Sequence, residues 1–414
     1  MIKEFGCIGR KLGHSFSKEI HNALADYKYE LLELEPDELS GFFGSKDFKG
    51  INVTVPYKEA VIPYLDTIDS SAKAIGAVNT IVKDANGKLN GYNTDFYGME
   101  KLISHAKIEI RGKKVVILGT GGTAKTARAV SNHLGAKEIL TVSRTPRESE
   151  ISYAELYEKH ADTEIIINTT PVGMYPDSYK SPIDIEAFGA LSGVIDAVYN
   201  PLRTVLVRGA MERGIPAEGG LYMLVAQAVR ASEIFLGKSY PEGVTDEVFN
   251  KILKEKESIV LIGMPGCGKT TVGTLLADSL NRVLIDTDEM IVKNSGMPIT
   301  EIFEKYGEAH FRCLESEAVK EAAKIPSAII ATGGGAILSK ENVSALKGNG
   351  RLYFIDRPLD SLIPTGDRPT ASDRAKIEQR YNERYGIYTS VSDVRITEVE
   401  SATTVMNAIR RDYL

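Results

Sequence analysis

Short apolar runs alternate with longer stretches in which apolar residues recur at helical spacing, and the alternation continues along the whole chain. Parallel strands are covered on both faces by their connecting helices and so read as near-continuous apolar runs. This is the pattern of an α/β protein with mainly parallel sheets. The run Gly50-Ile-Asn-Val-Thr-Val-Pro56 predicts a strand followed by a helix. Lys114–Leu118 predicts a strand, Thr123–Leu134 a helix and Glu138–Val142 a second strand. Residues 221–236 read as a helix, and 245–256 as a charged amphipathic helix without recognisable chemistry, a solvated connector. Beyond it, Ser258–Ile262 predicts a buried strand, Thr270–Leu280 a helix, Arg282–Ile285 a strand, Gly307 to Glu315 part of a helix, and Ile329–Thr332 a further strand. The pattern divides into blocks near residues 103 and 256, with no internal repeat and no low-complexity tract.

Composition narrows the function classes. A chain of 414 residues is long enough for two to four domains, each with its own core. Apolar content of 43% and charged content of 26% are ordinary for a globular protein. A formal charge of −6 with no Lys/Arg block argues against nucleic acid as a partner. No apolar run is long enough to span a bilayer and no leader pattern follows Met1, so no membrane association is expected. Cys7, Cys267 and Cys313 form no CxxC pair, which makes a reducing cytoplasm the expected compartment. Oligomeric state is not legible.

Two nucleotide motifs stand out. Residues 263–270 read Gly-Met-Pro-Gly-Cys-Gly-Lys-Thr, a complete GxxxxGK[ST] loop between a strand and a helix. Gly263, Gly266 and Gly268 let backbone N–H groups turn toward phosphate oxygens, and Cys267 is a small spacer. Lys269 would reach the β/γ-phosphates of ATP, Thr270 would hold Mg²⁺, and Thr271 follows in the helix. Earlier, Gly119-Thr-Gly121-Gly122-Thr123-Ala124 matches GxGxx[G/A] after one strand and at the start of a helix. An NAD site places Asp or Glu at the end of the next strand. This chain has Ser143-Arg144-Thr145 there. A carboxylate would repel a 2′-phosphate, whereas a guanidinium pairs with it, so NADP is the expected cofactor.

The first block carries polar residues among apolar ones: Ser15, Ser17, Thr54, Lys58, Asn79 and Asp95. Hydroxyls and amides suit a polyhydroxylated acid, and one Lys beside one Asp can move a proton. Read singly, Asn79 and Asp95 are equally good turn formers and Lys58 a surface lysine. Together they resemble shikimate dehydrogenase. The matching motifs are His14-Ser15-x-Ser17, Asn52-Val-Thr54-Val-Pro-x-Lys58, Gly76-Ala-Val-Asn79-Thr80 and Asn93-Thr94-Asp95. Others are Asn168-Thr-Thr-Pro-Val-Gly-Met174, Asp196-x-Val-Tyr199-Asn-Pro201 and Gly219-Gly220-x-x-Met223-Leu-x-x-Gln227-Ala228. The resemblance covers residues 1 to about 256. It implies NADPH-dependent reduction of 3-dehydroshikimate to shikimate, with Lys58 and Asp95 as the catalytic pair. It further implies that Ser15 and Ser17 hold the substrate carboxylate, that Thr54, Asn79, Tyr199 and Gln227 hold ring or hydroxyl positions, and that Gly220 and Met223 flank the nicotinamide. Two departures are mild: Ser143 replaces the usual Asn before Arg144, and Lys125 stands where Arg is frequent.

In the last block Asp286-x-Asp288, Phe311-Arg312-x-x-Glu315 and Gly333-Gly334-Gly335, taken with the phosphate loop, resemble shikimate kinase from about residue 258 onward. Three glycines after a strand let the backbone come close to a ligand ring, and the resemblance implies that Asp288 accepts from ring hydroxyls, that Arg312 and Arg384 fork the carboxylate, and that Asp286 joins Thr270 at the Mg²⁺ waters. Arg368 would be the lid arginine, although the lid is short and the family's Arg-Pro-Leu-Leu is Arg368-Pro-Thr-Ala here. The expected fold is thus an α/β substrate domain (1–103, completed by helix 221–236), a Rossmann NADP domain (104–256) and a P-loop α/β kinase domain with a parallel sheet (257–414). The expected activity is bifunctional, with 3-dehydroshikimate and shikimate as the small-molecule partners. The alternative is a shikimate or quinate dehydrogenase joined to a slow or non-catalytic kinase-like domain that senses shikimate.

Overall fold

Three sheets organise the chain, and the computed structural model describes residues 2–13, 15–362 and 374–413 of it. Two compact units result, one of residues 1–174 with 180–252, the other of 175–179 with 253–414.

The first unit holds two sheets. One contains β1 (Phe5–Gly9), β2 (Tyr29–Glu33), β3 (Gly50–Val53), β4 (Thr67–Ile68), β5 (Thr80–Lys83) and β6 (Leu89–Tyr92), in the order β2-β1-β3-β5-β6-β4. Here β5 runs antiparallel to β3 and to β6, with Asn52 opposite Thr80. The other contains β7 (Lys114–Leu118), β8 (Glu138–Ser143), β9 (Ile151–Ser152), β10 (Ile165–Asn168), β11 (Gly193–Asp196) and β12 (Ala217–Glu218). Its order is β12-β11-β10-β7-β8-β9, and every pairing is parallel. The winding direction reverses between β7 and β10, and a crevice opens at the carboxyl ends of strands at such a point. The helix Leu221–Leu236 packs on the helix Asp95–His105, and the contact depends on Gly98: a Cβ there would meet Met223 O at 2.8 Å.

The second unit is one parallel sheet of β13 (Ser258–Ile262), β14 (Leu284–Asp286), β15 (Ile329–Ala331), β16 (Gly350–Ile355) and β17 (Val394–Ile396), ordered β14-β15-β13-β16-β17. The central strand β13 is buried at every residue, which explains its unbroken apolar run.

Two expectations fail. No helix follows β3: residues 55–61 are turns leading to a short 3-10 segment, Ile62–Tyr64. Pro56 supplies no N–H and Pro63 lacks the next one, so Val61 N–H to Tyr57 O at 3.1 Å is the one bond of helical spacing in 55–61, and others, such as Tyr57 N–H to Thr54 O and Ile62 N–H to Glu59 O, close tighter turns. The helix Val244–Lys256 is not a solvated connector either. It buries Val248, Phe249 and Ile252, sets Phe249 edge-on to Tyr222 at 5.1 Å, and accepts the Tyr222 hydroxyl on Asp246 at 2.7 Å. Its charged residues had masked a narrow apolar stripe.

Candidate active sites

At the first cluster the turn after β3 carries Lys58 and the N-terminus of helix Asp95–His105 carries Asp95. Lys58 Nζ lies 2.6 Å from Asp95 Oδ2, and the two side chains are 14% and 3% exposed. Asn79 Nδ2 donates to Asp95 Oδ1 at 2.9 Å and lies 3.4 Å from Gln227 Oε1. Asn79 Oδ1 accepts from Thr94 N at 2.7 Å, so the amide orientation is fixed from both ends. A carboxylate so held keeps one ammonium aimed, while the buried setting strengthens the pair. Thr80 and Asn52, not singled out as site residues, complete the support: Asn52 Nδ2 donates to Thr80 Oγ1 at 3.0 Å. Their signal was the alternation of polar residues facing one another across β3 and β5.

The hydroxyl-bearing residues form a neighbouring group. Ser15 Oγ bonds Ser17 Oγ at 3.0 Å, and Phe16 between them packs on Tyr199 at 5.2 Å. Burial pushes the Tyr199 phenol up to about 12. Thr54 presses its methyl toward Gly9, where a Cβ would come within 2.6 Å. Asp196, at the end of β11, fixes the loop that carries Tyr199: it accepts from Val198 N at 3.0 Å, Asn168 Nδ2 at 3.0 Å and Thr204 Oγ1 at 2.7 Å. Burial raises its carboxyl to about 7 despite these donors. With a folded pKa above the unfolded one, Asp196 favours folding most in its protonated form. Stability contributed there is lost as pH rises from about 4 toward 7. Asp196→Asn should flatten that slope in thermal melts taken across this window. An unchanged slope would assign it to another group.

The glycine turn after β7 is built for a dinucleotide. Gly119 has φ 107°, and a Cβ on it would strike Thr169 Oγ1 at 2.9 Å. Gly121 opens the helix Gly122–His133 with no side-chain cap, and space beside it is clear, so the first-turn N–H groups are available to a pyrophosphate. Thr123 lies half-buried in this turn and Ala124 is buried. A Cβ on Gly122 would stand 3.8 Å from Lys58 Cδ, which places the turn beside the catalytic candidate. Ser143 ends β8 and accepts from Thr145 N at 3.2 Å, leaving Arg144 exposed, with no hydrogen bond or ion pair among the described residues. Lys125 pairs with Glu59 at 2.7 Å. Gly220 is fixed by packing, since a Cβ would fall 2.2 Å from Ala197 O, and Met223 is buried. These residues fit NADP.

In the second unit Gly263, Gly266 and Gly268 have φ of 152°, 78° and 95°, conformations that only glycine adopts freely. Lys269 is buried and donates to Gly263 O at 2.9 Å and Met264 O at 3.0 Å. Thr270 Oγ1 donates to Asp286 Oδ2 at 2.7 Å, an oxygen pair suited to Mg²⁺ and its waters. Cys267 is buried under the loop, consistent with a spacer, and Thr271 lies in the helix Lys269–Leu280.

Beside that loop an open cleft is lined by Asp288, Arg312, Glu315, Arg384 and the three glycines 333–335. Arg312 binds Glu315 at 2.7 Å and Glu308 at 2.9 Å. Burial raises the Glu315 carboxyl against the pull of Arg312. The glycines make the room: a Cβ on Gly335 would sit 2.0 Å from Arg312 Nη1, and one on Gly333 would sit 2.6 Å from Asp288 Oδ1. Arg384 is buried and donates to Gly334 O at 2.9 Å, while its Nε is buried without a partner. Arg368 lies outside the described residues. Tyr388, which the sequence reading missed, donates into the same region; its signal was the four-residue spacing from Arg384 on the helix Arg374–Val391.

A reversing parallel sheet with a glycine turn and a guanidinium after its second strand defines an NADP-linked dehydrogenase. A glycine loop with buried Lys and a Thr–Asp pair defines a P-loop phosphotransferase. Comparison with known proteins agrees with both. Residues 7–81 match the family model "Shikimate dehydrogenase substrate binding domain", and residues 265–413 match "Shikimate kinase". A shikimate dehydrogenase (NADP(+)) of Clostridium perfringens is 38% identical over 270 residues, 61% of this chain and 98% of that protein. A chorismate mutase/shikimate 5-dehydrogenase fusion protein from Clostridium acetobutylicum is 37% identical with a TM-score of 0.57, covering 61% of this chain and 97% of that one. The shikimate 5-dehydrogenase of Thermus thermophilus, solved in complex with NADP(H) and shikimate, is 27% identical with a TM-score of 0.54, covering 61% and 99%. The chain belongs to the shikimate dehydrogenase family and carries a shikimate kinase domain at its C-terminal end. It is an enzyme of two classes, with NADP as the cofactor of the first part and ATP with Mg²⁺ as those of the second. Among the described residues, no helix is long and apolar enough to cross a membrane.

Proposed function

We propose that the chain catalyses consecutive steps, NADPH-dependent reduction of 3-dehydroshikimate to shikimate and MgATP-dependent phosphorylation of the resulting 3-hydroxyl. The observation that carries the reading is the 2.6 Å Lys58–Asp95 pair set beside the glycine turn of the dinucleotide site. NADPH supplies hydride when bound. Lys58 donates a proton to the substrate oxygen, and Asp95, oriented by Asn79, holds the ammonium in line. Ser15, Ser17 and Tyr199 are the ligands for carboxylate and hydroxyl groups, with Thr54 and Gln227 alongside.

In the second unit MgATP supplies the phosphoryl group, and Lys269 stabilises its charge while Thr270 and Asp286 order the metal's waters. Asp288 accepts from ring hydroxyls, and Arg312 and Arg384 hold the carboxylate. Phosphorylation consumes the product of a reversible reduction and draws it forward.

Mixing the protein with shikimate and NADP, and separately with shikimate and MgATP, tests both halves. NADPH absorbance should rise in the first mixture and ADP should appear in the second; silence in either removes that half of the proposal. Arg144→Ala should raise the KM for NADP relative to that for NAD by about thirtyfold, the equivalent of roughly 2 kcal/mol for one charge-assisted pair. An unchanged ratio removes Arg144 from cofactor choice.

A further inference from the structure

The Tyr388 hydroxyl lies between two backbone carbonyls that belong to different parts of the kinase cleft. It is 2.6 Å from Gly334 O, in the substrate-side glycine run, and 2.9 Å from Gly263 O, in the phosphate loop. A phenol has one proton and can serve only one of these acceptors at a time. Each carbonyl also receives a cation: Lys269 Nζ reaches Gly263 O at 2.9 Å, and Arg384 Nη1 reaches Gly334 O at 2.9 Å. Tyr388 is 1% exposed and Lys269 5%, so water does not readily replace a donor that leaves. The ring is held by stacking on Phe354 at 5.0 Å and 10°, leaving the hydroxyl as its adjustable part.

We propose that Tyr388 is a positioning residue that passes its hydrogen bond from Gly334 to Gly263 when Lys269 turns to a nucleotide phosphate, and thereby couples nucleotide binding to the substrate arginine Arg384. Without nucleotide, Lys269 satisfies Gly263 O and Tyr388 satisfies Gly334 O. Once Lys269 leaves, a buried carbonyl would stand unpaired, a cost of about 1–3 kcal/mol, unless Tyr388 takes over. Among the described residues Arg384 is then the sole donor left to Gly334 O, and it is held there by the same cost. Arg384 lines the substrate cleft, and a guanidinium fixed in this way is ready for a carboxylate. Nucleotide binding therefore orders the arginine in advance, and the carboxylate ligand binds more tightly.

The inference rests on the kinase reading of this cleft. The test is calorimetric titration of the full chain with MgADP, with and without saturating shikimate, for the wild type and Tyr388→Phe. The phenylalanine keeps the stacked ring. In the wild type, shikimate should tighten MgADP binding severalfold. In Tyr388→Phe, MgADP should bind about tenfold more weakly and the tightening by shikimate should vanish. A merely structural tyrosine would lower the melting temperature and leave the tightening ratio unchanged, which overturns the proposal. Should Tyr388→Phe fail to fold, the wild-type ratio decides: a ratio of one overturns the coupling, and a ratio above one supports it. Absence of any MgADP binding to the wild type would instead sink the kinase reading beneath it.

Discussion

Lys58→Ala should abolish shikimate-dependent reduction of NADP, lowering kcat by about 10²–10⁴-fold, while shikimate-dependent ATP consumption continues at its original rate. The side chain removed is the ammonium 2.6 Å from Asp95, and no other cation is bonded to that carboxylate among the described residues. The substitution also leaves Asp95 charged and 3% exposed, so a loss of roughly 3 kcal/mol in stability accompanies the loss of rate. Rate and stability can be separated. In the double variant Lys58→Ala, Asp95→Asn the stranded charge is gone and the amide still meets Asn79, so the melting temperature should recover. The rate should not. Recovery of both would show that Lys58 is structural. Loss of ATP consumption alongside NADP reduction would show that the sites are not independent.

How far the sequence could be read depended on how local each feature is. Strands β7 and β13 and the helix Leu221–Leu236 were legible because burial on both faces, or on one helical stripe, leaves a continuous or periodic apolar pattern. The glycine turns were legible because positive φ at Gly119, Gly263, Gly266 and Gly268 restricts the residue type. The turns at 55–61 were not, since Pro56 is an acceptable helix opener and only the nearby Pro63 limits the run to one bond of helical spacing. The helix Val244–Lys256 was misread because three buried apolar residues among many charges carry a weak signal until Tyr222 and His105 are seen against Phe249.

The site followed the same rule. Lys58 and Asp95 are separated by 37 residues, so their pairing could enter only through a family resemblance. Arg312 and Glu315, three residues apart on one helix, could be paired from spacing alone. Tyr388 escaped because its partners are backbone carbonyls. Gly263 and Gly334 lie 125 and 54 residues away, and a carbonyl oxygen leaves no trace in residue type.

Lys269→Met should silence phosphorylation and leave NADP reduction by shikimate unchanged. Lys269 is 5% exposed and its ammonium rests on two loop carbonyls, at 2.9 and 3.0 Å, and among the described residues it meets no carboxylate. A methionine of similar length fills the space without stranding a charge. The Tyr388 hydroxyl, 2.9 Å away, can turn to the carbonyl of Gly263 in place of the lost ammonium, so the loop keeps its shape. What disappears is the positive charge available to the transferring phosphoryl group, for which a loss of about 10²–10³-fold or more in kcat is expected. A loss confined to the KM for ATP, with kcat preserved, would mean that Lys269 binds the nucleotide equally in ground and transition states and stabilises neither preferentially. ADP release measured at saturating shikimate over a range of ATP concentrations separates these outcomes. The NADP-linked rate of the same preparation shows that the rest of the chain is intact.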